Sequence, residues 1–144
     1  MTTTGERYAV PEQLGPDLGA VLEHWRRLRR GENRMPFADD LNLSALPAAG
    51  ERAMLLDVFE DPLRYRINHL GPDLSREGGG NLSGRFLDEV AGAPALDGLG
   101  AQAAATVTTR APTYGRGPNG SGRLLMPTWG DGRVSLILGV VERT

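Results

Sequence analysis

Thr113-Tyr114-Gly115-Arg116, Arg123-Leu124-Leu125-Met126-Pro127-Thr128 and Val134-Ser135-Leu136-Ile137-Leu138-Gly139-Val140-Val141-Glu142 are three short extended runs separated by two gaps. Asn119-Gly120 lies in the first gap and Asp131-Gly132 in the second. Asn-Gly and Asp-Gly suit the positive φ angles of tight hairpins, so the stretch reads as an antiparallel meander. Its last two members are apolar on both faces. In the final run Val134, Leu136, Leu138 and Val140 fall on one side and Ile137 and Val141 on the other. A strand apolar on both faces belongs to a sheet covered on both faces. At roughly 25 cal/mol per Å² of apolar surface, leaving one face wet would forfeit several kcal/mol, comparable with the stability of a small domain.

Working outward, the chain supplies the cover. Pro16-Asp17 opens a helix predicted over 17–30, with Leu18, Val21, Leu22, Trp25 and Leu28 on one stripe, four arginines at its end and Gly31 as its stop. Asp40–Leu46 reads as a turn or short helix closed by Pro47. Ala53–Phe59 and Leu63–His69 alternate as strands about the turn Glu60-Asp61-Pro62. The second of these sets Leu63, Tyr65, Ile67 and His69 against Arg64, Arg66 and Asn68, which makes one of its faces polar. A turn of helix at Asp73–Arg76, a short helix from Ser83 or Gly84 to Val90, and a longer one within Pro94–Arg110 follow. Two hairpin strands and three meander strands make one five-stranded antiparallel sheet. The middle helices lie on one face and the first helix, from this chain or from a partner, on the other. The expected organisation is a loose leader over 1–15 and a single α+β domain over 16–144.

Composition narrows the function. With 144 residues, 40% of them hydrophobic, the chain can bury a core of its own. Sixteen basic and 18 acidic side chains give a net charge of −2, so no overall field draws it to nucleic acid or to an acidic membrane. There is no cysteine, which excludes disulfides, thiolate nucleophiles, cysteine-held metal and thiol-adduct chromophores. The polar N-terminus does not read as a signal peptide, and the run Val134–Val141 is too short to span a bilayer. A cytoplasmic location fits.

Several stretches, taken in order, resemble a bacterial PAS-like family of stand-alone domains. They are Leu22-Glu23-His24-Trp25-Arg26-Arg27-Leu28-Arg29 with Met35-Pro36, Leu55-Leu56-Asp57-Val58, Leu63-Arg64-Tyr65-Arg66-Ile67, Asn81-Leu82-Ser83-Gly84-Arg85-Phe86-Leu87-Asp88-Glu89, Arg123-Leu124-Leu125-Met126-Pro127 and Ile137-Leu138-Gly139. Together they cover about residues 20–141. The resemblance implies a PAS-like five-stranded sheet whose small helices enclose a cavity, with an N-terminal helix used in dimerisation. It implies a non-catalytic sensory or regulatory signalling module that binds a small molecule or a protein partner. The alternative is a purely structural or interaction dimer without a ligand. No cofactor can be named, because members of the superfamily differ in what they hold.

Candidate residues follow from these two readings. Tyr65, Phe86, Leu99, Met126 and Trp129 are the ligand-pocket candidates. Leu18, Val21, Leu22, Trp25 and Leu28 are the candidates for a homodimer interface. Trp25 is equally suited to anchoring its helix on the chain's own sheet. Asn81 or Ser83 can cap the following helix. His24 and His69 sit in different elements without carboxylates at ligand spacing, so no metal site is expected. Asp88-Glu89 would splay apart on a helix and make a poor acid–base pair. Gly78-Gly79-Gly80 lacks the lysine and Ser/Thr of a phosphate loop. Neither a nucleophile elbow nor a persuasive histidine suggests an enzyme. Arg26, Arg27, Arg29 and Arg30, with no aromatic residues between them, read as a solvated face rather than a nucleic-acid patch.

Overall fold

The structure, a computed structural model, describes residues 8–46, 50–77, 80–90, 92, 96–117 and 120–142. Helix α1 is Pro16–Leu28, α2 is Pro72–Glu77 and α3 is Leu99–Thr109. The strands are β1 (Ala53–Phe59), β2 (Arg64–Leu70), β3 (Thr113–Arg116), β4 (Gly122–Gly130) and β5 (Arg133–Val141). All strand pairs are antiparallel, in the order β2-β1-β5-β4-β3. The last strand in sequence is therefore central, held between the hairpin that opens the sheet and the strand that precedes it. The fold is α+β with a five-stranded antiparallel sheet, as expected.

The β4–β5 turn is built as its residues suggest. Gly130 pairs with Arg133, and Asp131 and Gly132 between them have φ of 53° and 77°. That is the two-residue primed turn whose twist matches the flanking strands. In the β3–β4 turn Gly120 also has positive φ, while Asn119 lies outside the described residues.

Register assigns the two faces, because partners across a ladder share a side. The first face carries Met54, Leu56 and Val58 of β1, Tyr65, Ile67 and Leu70 of β2, Ile137 and Gly139 of β5, Arg123 and Leu125 of β4, and Thr113 of β3. The second carries Ala53, Leu55 and Asp57 of β1, Leu136, Leu138 and Val140 of β5, and Leu124, Met126 and Thr128 of β4. Leu124, Met126 and Leu138 on one side and Leu125 and Ile137 on the other are all fully buried, so β4 and β5 are covered front and back.

On the first face lies α3, whose Gln102 and Thr106 meet Thr113 and Arg123. On the second lies α1, with Leu18, Val21, Leu22 and Trp25 buried against the chain's own sheet. The indole Nε1 of Trp25 donates to the Pro127 carbonyl at 2.9 Å. That carbonyl lies past the end of β3, whose last partner on β4 is Leu125. Pro127 thus sits where β4 has no outer neighbour, and its missing N–H removes no ladder bond. Two residues on, the outer edge of β4 is taken by residues 36–37: Trp129 N donates to the Pro36 carbonyl and Phe37 bridges Trp129 in parallel.

Three local expectations are corrected. Helix α1 ends at Leu28 rather than Arg30. Arg29 is already extended, its side chain caps the Arg26 carbonyl, and Arg30 turns away to make a bidentate pair with Asp40. In β2, Asn68 is an extra residue, since Ile67 faces Leu56 while His69 faces Leu55. This bulge moves His69 to the second face and brings Leu70, not His69, into line with Tyr65 and Ile67. The short helix at 83–90 is instead an edge strip. Ile67 exchanges bonds with Gly84 and Arg85, Phe86 bridges Arg66, and only Leu87–Glu89 coils as a 3₁₀ turn. Gly84 at φ 89° stops a helix from starting there. The long helix starts at Leu99 because Gly98 is left-handed, and 93–95 lie outside the described residues. Of the stretch read as a loose leader, Tyr8 accepts a bond from Tyr114 N on β3, and Val10 and Leu14 pack on the core. Residues 1–7 lie outside the described residues.

Candidate functional site

The five pocket candidates do not converge. Leu99 is fully buried inside α3 on the first face, whereas Met126 is fully buried on the second face, the side α1 covers. Phe86 sits outside β2, its ring 5.5 Å from that of Phe59, under the Arg64 guanidinium at 3.8 Å. Trp129 lies at the far end of β4 in a separate shallow cleft with Met35, Phe37 and Arg110, the Arg110 guanidinium 5.4 Å from its ring. Tyr65 alone of the five lines the cleft between β2 and the amino end of α3. That cleft is about 450 Å³ and is formed by Leu63, Arg64, Tyr65, Leu87, Asp88, Leu96, Asp97, Gly98, Gly100 and Ala101.

Three elements build this cleft. Strand β2 contributes Tyr65 from the face that α3 covers, so its hydroxyl points toward the helical layer. Residue Tyr65 is only 7% exposed, and its hydroxyl has no hydrogen-bond partner among the described residues. Burial pushes its pKa up to about 12, so it remains a donor through the whole neutral range. The strip after the Phe86 bridge contributes Leu87 and Asp88. Asp88 is held by two bonds from Arg64, at 2.7 and 2.9 Å, which keep its carboxyl below the usual range.

The third element is the amino end of α3. Gly98 at its N-cap offers no side-chain cap, and the first amide bonded back is that of Gln102, to the Gly98 carbonyl. The end of this helix is fixed from beneath by Arg123. Its guanidinium, 2% exposed, donates to the Asp97 carbonyl at 3.2 Å and to Gln102 Oε1 at 2.8 Å. Gln102 in turn bonds the carbonyls of Thr113 and Arg123, and the Thr106 and Thr113 hydroxyls meet at 2.7 Å. Burial lowers the pKa of Arg123, opposed by the charges of Tyr8 and Asp97. This polar cluster went unseen in the sequence. Its one signal was an arginine opening an apolar run opposite a glycine, for Gly115 leaves the space that Gln102 fills.

The interface candidates Leu18, Val21, Leu22 and Trp25 are spent inside the chain, and Leu28 is half-buried at the end of α1. The β1–β2 half of the second face is charged, with the Asp57 carboxylate bonded by Arg66 and Asn68. His24 and His69 stand apart, and no group of three or more acidic or histidine side chains among the described residues could hold a metal. No helix among them is long and apolar enough to cross a membrane. Comparison with family models, with curated proteins and with solved structures returns no match for this chain.

Proposed function

We propose that the chain is a non-catalytic, PAS-like sensory or regulatory module that takes a small ligand in the cleft between β2 and the amino end of α3. The observation that carries this is the cleft itself, about 450 Å³ between β2 and the amino end of α3, with Tyr65 in its wall. The apolar residues Leu87 and Leu96 beside it give a ligand body something to lie on. A signal would leave through a partner protein or a second copy. Native mass spectrometry before and after denaturation tests the reading: a retained small molecule supports it, and protein that stays bare through a screen of metabolites by thermal shift counts against it.

A second reading, a homodimer without ligand, has one observation in its favour. On the β1–β2 half of the second face Leu55, Asp57 and His69 are only half-buried, where Leu124, Met126 and Leu138 of the other half are fully buried. A dimer would then use that half rather than the α1 stripe, which is already buried. The same mass spectra count copies per assembly.

A further inference from the structure

We propose that the cleft at the far end of β4, beside Trp129, binds a small aromatic monocarboxylate. It is separate from the cleft beside Tyr65 and does not depend on it. Its volume, about 310 Å³, suits a small ligand. Two elements build it. Residues 36–37 run along the outer edge of β4, where Trp129 N donates to the Pro36 carbonyl at 2.9 Å and Phe37 bridges Trp129. The carboxyl end of α3 brings Arg110. Buried Met35 and the half-buried rings of Phe37 and Trp129 give the cleft an apolar, largely aromatic lining. Phe37 is held by Arg30, whose guanidinium lies 5.4 Å from its ring and is clamped by Asp40.

The cations on this wall are uncommitted. Arg52, Arg64 and Arg66 elsewhere in the fold each hold a carboxylate. The guanidiniums of Arg34 and Arg110, which both line the cleft, have no hydrogen bond or ion pair among the described residues. Arg110 lies over the Trp129 ring at 5.4 Å, a contact that uses none of its N–H donors. Its backbone is an independent observation. Arg110 closes α3 at φ 53°, the left-handed position that glycine takes without strain. Strained residues of this kind cluster at ligand sites, and here the strain sets a cation at the cleft. The carboxyl end of a helix opposes an anion, but the Ala105 and Thr106 carbonyls are already bonded by the Thr109 hydroxyl and the Arg110 amide. Glu32 on the same wall offsets one of the two arginines, which matches a single carboxylate and disfavours a dianion such as phosphate. The Trp129 and Phe37 rings and the Arg110 plane favour a flat ring over a saturated one.

The test is an NMR titration of the full chain, whose two tryptophans give two indole N–H signals. The Trp25 indole, bonded to the Pro127 carbonyl, is the internal control. The probes are phenylacetate, phenethyl alcohol (the same ring without the charge), cyclohexylacetate (the same charge on a saturated ring) and inorganic phosphate. Phenylacetate should shift the Trp129 signal saturably and leave Trp25 still. Phenethyl alcohol should bind at least ten-fold and cyclohexylacetate at least three-fold more weakly, and phosphate should not displace phenylacetate. Arg34→Gln should weaken phenylacetate at least five-fold at an unchanged melting temperature. Arg110→Gly should weaken it at least ten-fold while holding or raising the melting temperature, because glycine relieves the left-handed backbone. A Trp129 signal unmoved by millimolar phenylacetate, an alcohol that binds as tightly as the acid, or parental affinity in either variant overturns the proposal. Equal affinity for cyclohexylacetate, or displacement by phosphate, overturns the aromatic monocarboxylate assignment. If phenylacetate moves the Gly100 and Ala101 amides instead, this site falls and the cleft beside Tyr65 stands.

Discussion

Two buried polar side chains, Tyr65 and Arg123, show opposite solutions to the same problem. Arg123 is surrounded by acceptors: Gln102 Oε1, the Asp97 carbonyl and the charge of Asp97 itself. Replacing Gln102 with leucine would strand the Arg123 Nε and the Thr113 carbonyl together. We expect Gln102→Leu to lower stability by about 3 kcal/mol in chemical denaturation, well beyond the effect of a surface change. Tyr65 has no such partner, so Tyr65→Phe should leave the unliganded protein as stable or up to about 1 kcal/mol more stable. Its pH dependence has a definite sign. The folded pKa, about 12, lies above the unfolded value near 10, so the folded state holds the proton longer. Below pH 10 the hydroxyl is protonated in both states; as pH rises from 10 toward 12 the unfolded chain ionises first, and the parent loses stability that Tyr65→Phe keeps. Denaturation at pH 9 and pH 12 should show this difference between the parent and Tyr65→Phe. A protein in which the two variants lose stability in parallel would mean the hydroxyl is not buried as described.

At the scale of elements, α1 and β4 depend on each other through one bond. Pro127 can sit in a strand because β3 has ended, and its carbonyl is then served by the Trp25 indole. Trp25→Phe keeps most of the apolar packing but leaves that carbonyl bare, at an expected cost of about 1–3 kcal/mol. Hydrogen exchange should report the loss first in α1. The β4–β5 turn makes a separate prediction. Gly132 has φ of 77° with open space around it, so Gly132→Ala meets backbone strain rather than a clash and should cost about 1–2 kcal/mol. If Gly132→Ala were neutral, the turn could not be of the primed type.

For the whole molecule, the strand order matters most. Because β5 lies between β1 and β4, it joins two hairpin systems that do not otherwise pair. Arg52 reinforces the junction: its guanidinium donates to the Val141 and Glu142 carbonyls and to Glu77 of α2. A chain ending at Asp131 loses the central strand and both sets of partners. It should show no cooperative thermal transition by circular dichroism. A cooperative melt in the truncated chain would show that the halves fold apart.

The pattern along the chain determined the sheet, its hairpins, the primed turn and the need for cover on both faces. Each follows from local φ preference or from the two-residue alternation of apolar side chains, and neither depends on distant contacts. The stripe on α1 was legible for the same reason. What it packs against was not, since one apolar stripe fits its own sheet or a partner's equally well. The bulge at Asn68, the edge strip at 84–86 and the cluster of Arg123, Gln102 and Thr113 were decided only in three dimensions. In each, the energy comes from hydrogen bonds between residues far apart in sequence, and no residue announces its partner. The cleft has the same origin. Tyr65 was picked out, but Gly98, Gly100 and Ala101 came to share its cleft only when the sheet closed, because helix ends acquire surroundings from tertiary packing and not from their own composition.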